Sequence, residues 1–170
     1  FRNPLGVCDT ADDGCGLTLA GLTGASLGEE HVCVITTAGN LLCWGANDSG
    51  QLGDKTILPH AQPAPVCVSG AGPCSPLAGV TSVAAGFYFT CAIAAPNDTV
   101  YCWGANASGQ IGNGDTATTP ANVLGASTVC TSGSVAASTC VPLQNAVSLS
   151  ASGNHACALL GSGPEAGQVR

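Results

Sequence analysis

The sequence predicts an all-β fold built from repeated units, and three observations lead to this prediction. Small and β-branched residues dominate, aromatic residues make up only 4% of the chain and methionine is absent, which suits short strands and tight turns. Short apolar stretches are bounded by turn residues, and no amphipathic helical stretch stands out. One pattern is also written twice, as HVCVITTAGNLLCWGANDSGQLGD from His31 and as FTCAIAAPNDTVYCWGANASGQIGNGD from Phe89.

The repeated pattern predicts four short antiparallel strands in each unit. In the second unit we expect them near Val80–Ala84, Phe89–Ala94, Val100–Trp103 and Ala121–Leu124. The glycine-rich joins GANDSGQLGD and GANASGQIGNGD supply the positive φ angles that tight reversals need. Four such strands in roughly 60 residues describe one blade of a β-propeller. The predicted architecture is therefore a series of propeller blades.

The repeat also predicts where the units divide. Residues 1–7 match the tail of a unit, residues 8–66 and 67–129 form two complete units, and residues 130–170 form a third that stops before its Cys-Trp-Gly. We expect this sequence to be a fragment of a longer ring. Because fewer than three blades cannot close a ring, the alternative is association of copies through open blade edges, into a ring or a fibre.

The cysteines predict a disulfide framework in an oxidising compartment. There are eleven in 170 residues, without a Cys-x-x-Cys motif or histidines at zinc-finger spacing, which favours disulfides over a metal site. In each unit one predicted bridge crosses a hairpin and another closes the loop before it. The predicted pairs are Cys8–Cys15, Cys33–Cys43, Cys67–Cys74, Cys91–Cys102 and Cys130–Cys140, and the partner of Cys157 is expected directly after Arg170. The protein is thus expected to be secreted or on the cell surface.

Charge excludes some classes of partner. Three Lys and Arg residues stand against ten Asp and Glu residues, and a face that binds nucleic acid needs clustered positive charge. Anionic membrane surfaces are disfavoured for the same reason. No apolar run approaches the roughly 20 residues that span a bilayer. We therefore expect neither nucleic acid binding nor a membrane span.

The motifs in both units are those of a known repeat. They include Gly86, Thr90, Ala92, Trp103, Gly104, Asn106, Gly109, Gln110, Ile111 and Gly112 in the second unit, and Gly28, His31, Trp44, Gly45, Asn47, Gly50, Gln51, Leu52 and Gly53 in the first. This pattern resembles the regulator-of-chromosome-condensation repeat family. The resemblance implies a seven-bladed propeller. A disulfide-rich, acidic version resembles the secreted, mostly bacterial branch, which includes inhibitors that bind other proteins through loops on one propeller face.

Histidine and tryptophan rings recur at equivalent positions of the units, and each could belong to a functional site or to the packing. His31 and His155 occupy equivalent positions, and would be a metal ligand or general base in one interpretation. The other interpretation is a structural bond to the backbone of a neighbouring blade, which we favour because Phe89 stands at the same position between them. Trp44 and Trp103 would form either a binding platform or the packing between blades. We favour packing, because the core is so poor in aromatic residues.

Oxygen-rich side chains decorate the glycine-rich joins. Such side chains could hold calcium, but their spacing lacks the EF-hand order and its terminal glutamate. We therefore favour Asx-turns for Asp48, Asp54, Asp115, Asn47, Asn106 and Asn113. We predict no cofactor, with calcium as the weaker alternative. His60 lies in a proline-rich linker and is expected to face solvent. Three tripeptides in predicted turns are acceptors for N-glycosylation if the source glycosylates its proteins, at Asn47, Asn97 and Asn106.

Side chains that differ between units on the repeated frame are the predicted partner contacts. Just before the repeated ring position the first unit has Glu29 and Glu30, the second has Phe87 and Tyr88, and the third has Asn154. A Glu–His acid–base pair is disfavoured, because the other units lack it. The first hypothesis is therefore a non-enzymatic binding or scaffolding propeller. A subunit of an extracellular fibre or surface layer is the second, and a propeller-face enzyme is the weakest.

Overall fold

The computed structural model describes residues 21–115, 122–161, 163 and 166–170. In this part of the chain every regular element is a β-strand, as the composition predicts. It contains no helix long and apolar enough to span a bilayer. The predicted all-β fold is confirmed.

The first sheet has four antiparallel strands that follow one another in sequence. They are β1 (Leu22–Leu27), β2 (His31–Thr36), β3 (Leu41–Gly45) and β4 (His60–Pro65). Strand β2 is almost wholly buried, whereas β1 and β4 are largely open. The β2–β3 hairpin is therefore the centre of this blade.

The second sheet repeats the first. Its strands are β5 (Val80–Ala85), β6 (Phe89–Ala94), β7 (Thr99–Ala105) and β8 (Asn122–Thr128), again antiparallel and in sequence order. Strands β5 to β7 agree with the sequence prediction to within two residues. The chain thus contains two complete four-stranded blades in succession.

Strand β8 is longer than its sequence suggests. The prediction ends at Leu124, whereas the strand continues to Thr128, which pairs with Tyr101 of β7. The extra residues are small: Ala126 and Ser127 are buried, and the backbone carbonyl of Ala126 accepts a hydrogen bond from the amide of Ser69 at 2.8 Å. Small side chains carry little strand signal, but here they allow the neighbouring loop to approach closely.

The third unit contributes two short pairs of strands. They are β9 (Cys130–Ser132) with β10 (Val141–Pro142), and β11 (Ala146–Ser152) with β12 (His155–Leu160). Beyond β12 the chain folds back, and Val169 bridges to Leu159. The β11–β12 hairpin corresponds to β1–β2 and β5–β6 of the first two blades.

Two apolar clusters lie between successive sheets. The first joins residues of the first blade, such as Ile35 and Leu52, to Trp103 of the second. The second joins Phe89 of the second blade to Ala158 of β12. Each sheet therefore packs its face against the next, as blades do in a propeller.

The described residues contain four disulfides at pairs that the cysteine spacing predicts: Cys33–Cys43, Cys67–Cys74, Cys91–Cys102 and Cys130–Cys140. The first and third join directly opposite residues of a hairpin. The predicted pair Cys8–Cys15 lies outside the described residues. Cys157 is an exposed free thiol among those described.

Candidate partner-binding surface

Three hairpin turns from successive sheets lie side by side. Glu29, in the turn between β1 and β2, lies close enough to Tyr88, in the turn between β5 and β6, to raise the pKa of its phenol, and the amide of Ala85 donates to Ser26 Oγ at 2.9 Å between the same two strands, β5 and β1. The backbone amide of Phe87 donates to the carbonyl of Gly153, in the turn between β11 and β12, at 2.9 Å. These contacts bring the five predicted contact residues to one surface. We call it the turn surface, and it consists of Glu29, Glu30, Phe87, Tyr88 and Asn154.

In the first two turns a glycine, Gly28 or Gly86, stands three residues before the buried ring, whereas Ser152 has this position in the third turn. The amide of Gly28 donates to the carbonyl of His31, and the amide of Gly86 donates to that of Phe89, both at 2.9 Å. A Cβ atom on either glycine would overlap the ring three residues later. The ring therefore folds back beneath the turn, and the two residues between glycine and ring point to solvent.

The exposed chemistry of the turn surface is both aromatic and acidic. Phe87 is 47% exposed and Tyr88 41% exposed, and their rings meet edge to face with centroids 6.3 Å apart. The hydrogen bond and negative charge of Glu29 raise the pKa of the Tyr88 phenol, so this group stays protonated at neutral pH. Exposed aromatic rings beside carboxylates suit a partner that offers both apolar area and positive charge.

His31 is a structural residue beneath this surface. Its Nε2 lies 2.8 Å from the hydroxyl of Thr90 in the next blade, and that hydroxyl donates to the backbone carbonyl of Gln51 at 3.0 Å. Nε2 must therefore carry the proton that His31 donates, while Nδ1 has no partner among the described residues. His31 does bond to the neighbouring blade, but the expectation that it bonds to the backbone there is wrong, because its partner is the side-chain hydroxyl of Thr90. His155, by contrast, is exposed.

Burial of His31 predicts acid sensitivity. Desolvation lowers the pKa of its imidazole from 6.5 to about 4, so the folded state stays neutral while the unfolded state takes up a proton. Stability is therefore complete above pH 6.5 and falls as the pH approaches 4, by up to about 3 kcal/mol. Denaturant melts between pH 4 and 7.5 check this. His31→Phe should flatten the slope, since Phe89 fills the equivalent position, whereas His155→Phe should not.

Neither tryptophan forms an exposed platform. Trp103 is completely buried, and its Nε1 donates to the backbone carbonyl of Gln51 in the preceding blade at 2.9 Å. Trp44 is buried too, with no acceptor for its Nε1 among the described residues. The structure thus supports the packing interpretation. The backbone carbonyl of Gln51, which accepts from both Trp103 and Thr90, was not predicted as an acceptor, although the repeated SGQ motif was a signal for it.

The polar side chains of the glycine-rich joins form hydrogen bonds within the joins. Asp54 accepts from the amide of Thr56 at 2.9 Å and from Asn47 at 3.0 Å. Burial alone would raise the pKa of this carboxyl, but hydrogen bonds from Thr56, Asn47 and His60 hold it below its usual value. His60, expected to face solvent, instead lies with Nε2 2.5 Å from Asp54 Oδ2, because strand β4 returns past the join.

The same internal bonds bear on calcium. In the second join, Asn113 donates to Asp115 at 2.9 Å, and Asn106 accepts from the amide of Ile111 at 3.1 Å. The described residues contain no group of three or more His, Cys, Asp or Glu side chains placed to hold a metal ion. Asx-type hydrogen bonds thus account for Asn106, Asn113 and Asp115, and the expectation that no cofactor binds stays a prediction.

Two of the three glycosylation sites are corrected by the structure. Asn47 is 0% exposed and Asn106 is 3% exposed, because each asparagine side chain bonds within its own join. A glycan has no room at either position. Asn97 is exposed, in a turn where its φ is 63°, and is the one of the three that stays a prediction.

Consecutive four-stranded antiparallel sheets, packed against each other around Trp103, define this chain as part of a β-propeller. The chain belongs to the regulator of chromosome condensation (RCC1) repeat family. Two forms of that repeat match, one at residues 24–51 and 80–110 and the other at residues 38–93 and 97–159. The family that the motifs resemble is thereby confirmed.

Individual proteins are similar to parts of this chain. The chain is 34% identical over 93 residues to the probable E3 ubiquitin-protein ligase HERC3 of Homo sapiens, covering 54% of this chain and 8% of that protein. It is 34% identical over 87 residues to RCC1 domain-containing protein 1 of Mus musculus, covering 50% and 21%. The chain thus spans about a fifth or less of these relatives.

Fold comparison gives the same architecture. Human WBSCR16 superposes with a TM-score of 0.58 at 16% identity, over 85% of this chain and 32% of that one. Yeast RCC1 (Prp20), solved bound to Kap60, superposes with a TM-score of 0.58 at 18% identity, over 82% and 30%. At such identity the likeness establishes the fold alone.

Proposed function

We propose that this chain is part of an extracellular, non-enzymatic propeller that binds a partner protein through the turn surface. The observation that carries the proposal is the exposed cluster of two aromatic rings, two carboxylates and an amide that three successive turns contribute. Exposed aromatic residues are enriched at protein interfaces, where they serve as anchors. The frame below them is stapled and repeated, so these side chains vary without disturbing the fold.

The disulfides support the extracellular location. Four bridges in the described part of the chain are typical of proteins that fold in an oxidising compartment, since cytosolic thiols are kept reduced. The net charge of −7 also favours solubility, because molecules of like charge repel one another. Both features are compatible with secretion.

The position of His31 supports binding over acid–base chemistry. Its ring lies beneath the turn surface, bonds to Thr90, and has a pKa lowered to about 4 by burial. Its Nε2 proton is donated to Thr90 and its Nδ1 is buried, so neither nitrogen is available to a molecule bound above Glu29 and Glu30. Among the relatives, yeast RCC1 is a propeller solved with a bound protein, whereas HERC3 bears the name of a ligase.

Charge suggests which partners fit. Glu29 and Glu30 lie near enough to Tyr88 to raise the pKa of its phenol, and the ring of Phe87 contacts that of Tyr88. Guanidinium or ammonium groups are attracted to both carboxylates and aromatic faces. The partner segment proposed is therefore one that presents Arg or Lys flanked by apolar residues. Binding of this kind should weaken as the salt concentration rises.

An array of synthetic peptides that differ only in charge tests the proposal. The protein should prefer Arg-rich and Lys-rich peptides, and Phe87→Ser with Tyr88→Ser should lower affinity at least tenfold, about 1.4 kcal/mol. Glu29→Gln with Glu30→Gln should weaken binding and its salt dependence. The matched control is Asp98→Asn, an exposed carboxylate in the opposite turn between β6 and β7. Equal binding by all variants would reject the turn surface as the site.

A structural subunit of a fibre or surface layer is the second candidate. Exposed apolar residues on the third unit favour it: Val147 is 60% exposed and Val169 63% exposed. Such residues would be covered if copies associated edge to edge. Negative-stain microscopy of the native material separates the candidates, since filaments support this one and separate particles support the binding propeller.

A further inference from the structure

The outer edge of strand β8 is covered by the loop that connects β4 to β5. The covering part lies between Cys67 and Cys74, and we call it the first cysteine loop. The amide of Ser69 donates to the carbonyl of Ala126 at 2.8 Å, and the amide of Ala126 donates to the carbonyl of Cys67 at the same distance. Val68 and Ala126 thereby form a parallel bridge. The loop thus pairs with the side of β8 that faces away from β7.

The last strands of the two blades protect their edges in different ways. Just beyond β4, the amide of Val66 donates to the carbonyl of Leu41 in β3 at 3.2 Å. Amides alternate in direction along a strand, so Pro63 and Pro65 stand where an amide would point away from β3. Strand β8, which reads NVLGAST, has neither a proline nor a charged residue. Because such edges pair readily with other strands, the loop is what protects β8.

The loop and the edge of β8 fit closely. A Cβ atom on Gly125 would lie 3.0 Å from the carbonyl oxygen of Cys67 and 3.3 Å from the backbone of Ser69. The absence of a side chain at this position therefore lets the loop approach the strand. Val66 and Leu77 are buried at the two ends of the loop, so the loop can open between them while the blades stay in place.

Lys55 fastens the loop to the same edge. Its backbone amide donates to the carbonyl of Leu124 in β8 at 2.8 Å. Its Nζ donates to three loop carbonyls, those of Gly70, Gly72 and Pro73, at 3.2, 3.4 and 3.3 Å. Lys55 has a φ of 70°, at a position where the second unit has a glycine. The side chain and the disulfide thus hold the cover together.

The disulfide of this loop is the most accessible of the four described bridges. Cys74 is exposed, and a Cβ atom on Gly70 or Gly72 would meet none of the described atoms within 4 Å. The two bridges that cross hairpins join residues that are at most 3% exposed, and both cysteines of the fourth bridge are half-buried. Thiol–disulfide exchange needs access to a sulfur. A dithiol should therefore reduce Cys67–Cys74 first.

We propose that the first cysteine loop is a redox-controlled cover, and that the edge of β8 uncovered by reduction pairs with β8 of a second copy of this chain. A small dithiol gives two electrons and two protons to Cys67–Cys74, so that its own thiols become a disulfide and the bridge becomes two thiols. The occupant is a second copy because an uncharged edge can pair with itself in antiparallel direction. Such pairing around a two-fold axis closes as a dimer. It involves none of the five residues of the turn surface.

Replacing Cys67 and Cys74 together by serine opens the cover permanently and tests the proposal. At low protein concentration, hydrogen exchange of the Ser69 and Ala126 amides should become at least about tenfold faster. Sedimentation should show a larger fraction of dimer than in the oxidised parent. The matched control is serine at both Cys130 and Cys140, the equivalent pair of the next unit, which leaves the cover in place and should change neither readout.

Two further measurements separate the steps. Lys55→Gly removes the ammonium without changing a cysteine, and should speed exchange of the Ser69 amide severalfold. In the dimer the amide of Ala126 is protected again, so its exchange in the serine variant should slow as the protein concentration rises, whereas that of Ser69 should not.

Three results would overturn the proposal. Unchanged exchange at Ser69 in the serine variant would mean that the disulfide does not hold the cover. Faster exchange without additional dimer would reject the second copy as the occupant of the edge. A dimer in which exchange at Ala126 does not depend on concentration would place the contact between copies elsewhere on the molecule.

Discussion

Reduction of the disulfides is expected to unfold this protein at ambient temperature. The four described bridges close loops with sequence separations of 10, 7, 11 and 10 residues. Each contributes roughly 2–3 kcal/mol by restricting the unfolded chain. Together they contribute on the order of 10 kcal/mol, which is comparable to the whole net stability of an ordinary domain. The small-residue core between these sheets cannot replace that amount.

Thermal melts with and without a phosphine reductant measure this effect, with thiol titration to show that reduction is complete. Removing one bridge at a time ranks the contributions. Replacing both Cys91 and Cys102 by alanine should cost more than replacing Cys67 and Cys74, because the first pair is buried between strands and Cys74 is exposed. A fully reduced protein with an unchanged melting midpoint would contradict the prediction.

Replacing Trp103 by alanine is expected to destabilise the protein by about 3–5 kcal/mol. The indole fills the interface between the first two blades, where it contacts Gly53 and bonds to Gln51. Its removal leaves a cavity in the first apolar cluster and takes one donor from a buried carbonyl. Because so few large side chains are present, no neighbour can fill the space.

Urea unfolding of Trp103→Ala and Trp103→Phe separates the two effects. The phenylalanine variant keeps much of the apolar volume but loses the N–H, so it should cost only about 1–2 kcal/mol. Val147→Ala, an exposed apolar residue on the third unit, is the control and should change the free energy of unfolding little. Losses of equal size at Trp103 and Val147 would show that the inter-blade contact does not hold the fold.

Much of the fold could be predicted because the sequence repeats itself. Turn residues at fixed offsets mark the hairpins, and cysteines at equivalent positions indicate which strands face each other. The repeat also indicates which residues are free to differ, and so predicts the five side chains of the turn surface. The strand predictions succeed because their contacts are local, within one hairpin, whereas the role of the five side chains in binding stays a prediction.

Contacts that side chains make within the joins and between blades could not be predicted in the same way. The tripeptides at Asn47 and Asn106 look like surface turns, but their side chains are drawn inward by amides five residues later. His60 meets Asp54 only because β4 returns past the join. The bond from His31 to Thr90 crosses 59 residues. The strand and turn pattern of the sequence does not indicate these partners.

The backbone hydrogen bond from a cysteine amide to a glycine carbonyl, which recurs in both complete units, has a consequence for how these blades tolerate changes in length. The glutamine lies seven steps after the tryptophan in both complete copies, whereas the stretch from Gly53 to Cys67 has 14 steps and that from Gly112 to Cys130 has 18. Both stretches end on the same backbone hydrogen bond, 2.8 Å from cysteine amide to glycine carbonyl. This excursion is therefore a natural insertion point. Foreign peptides grafted there would be displayed without altering the spacing of the blades.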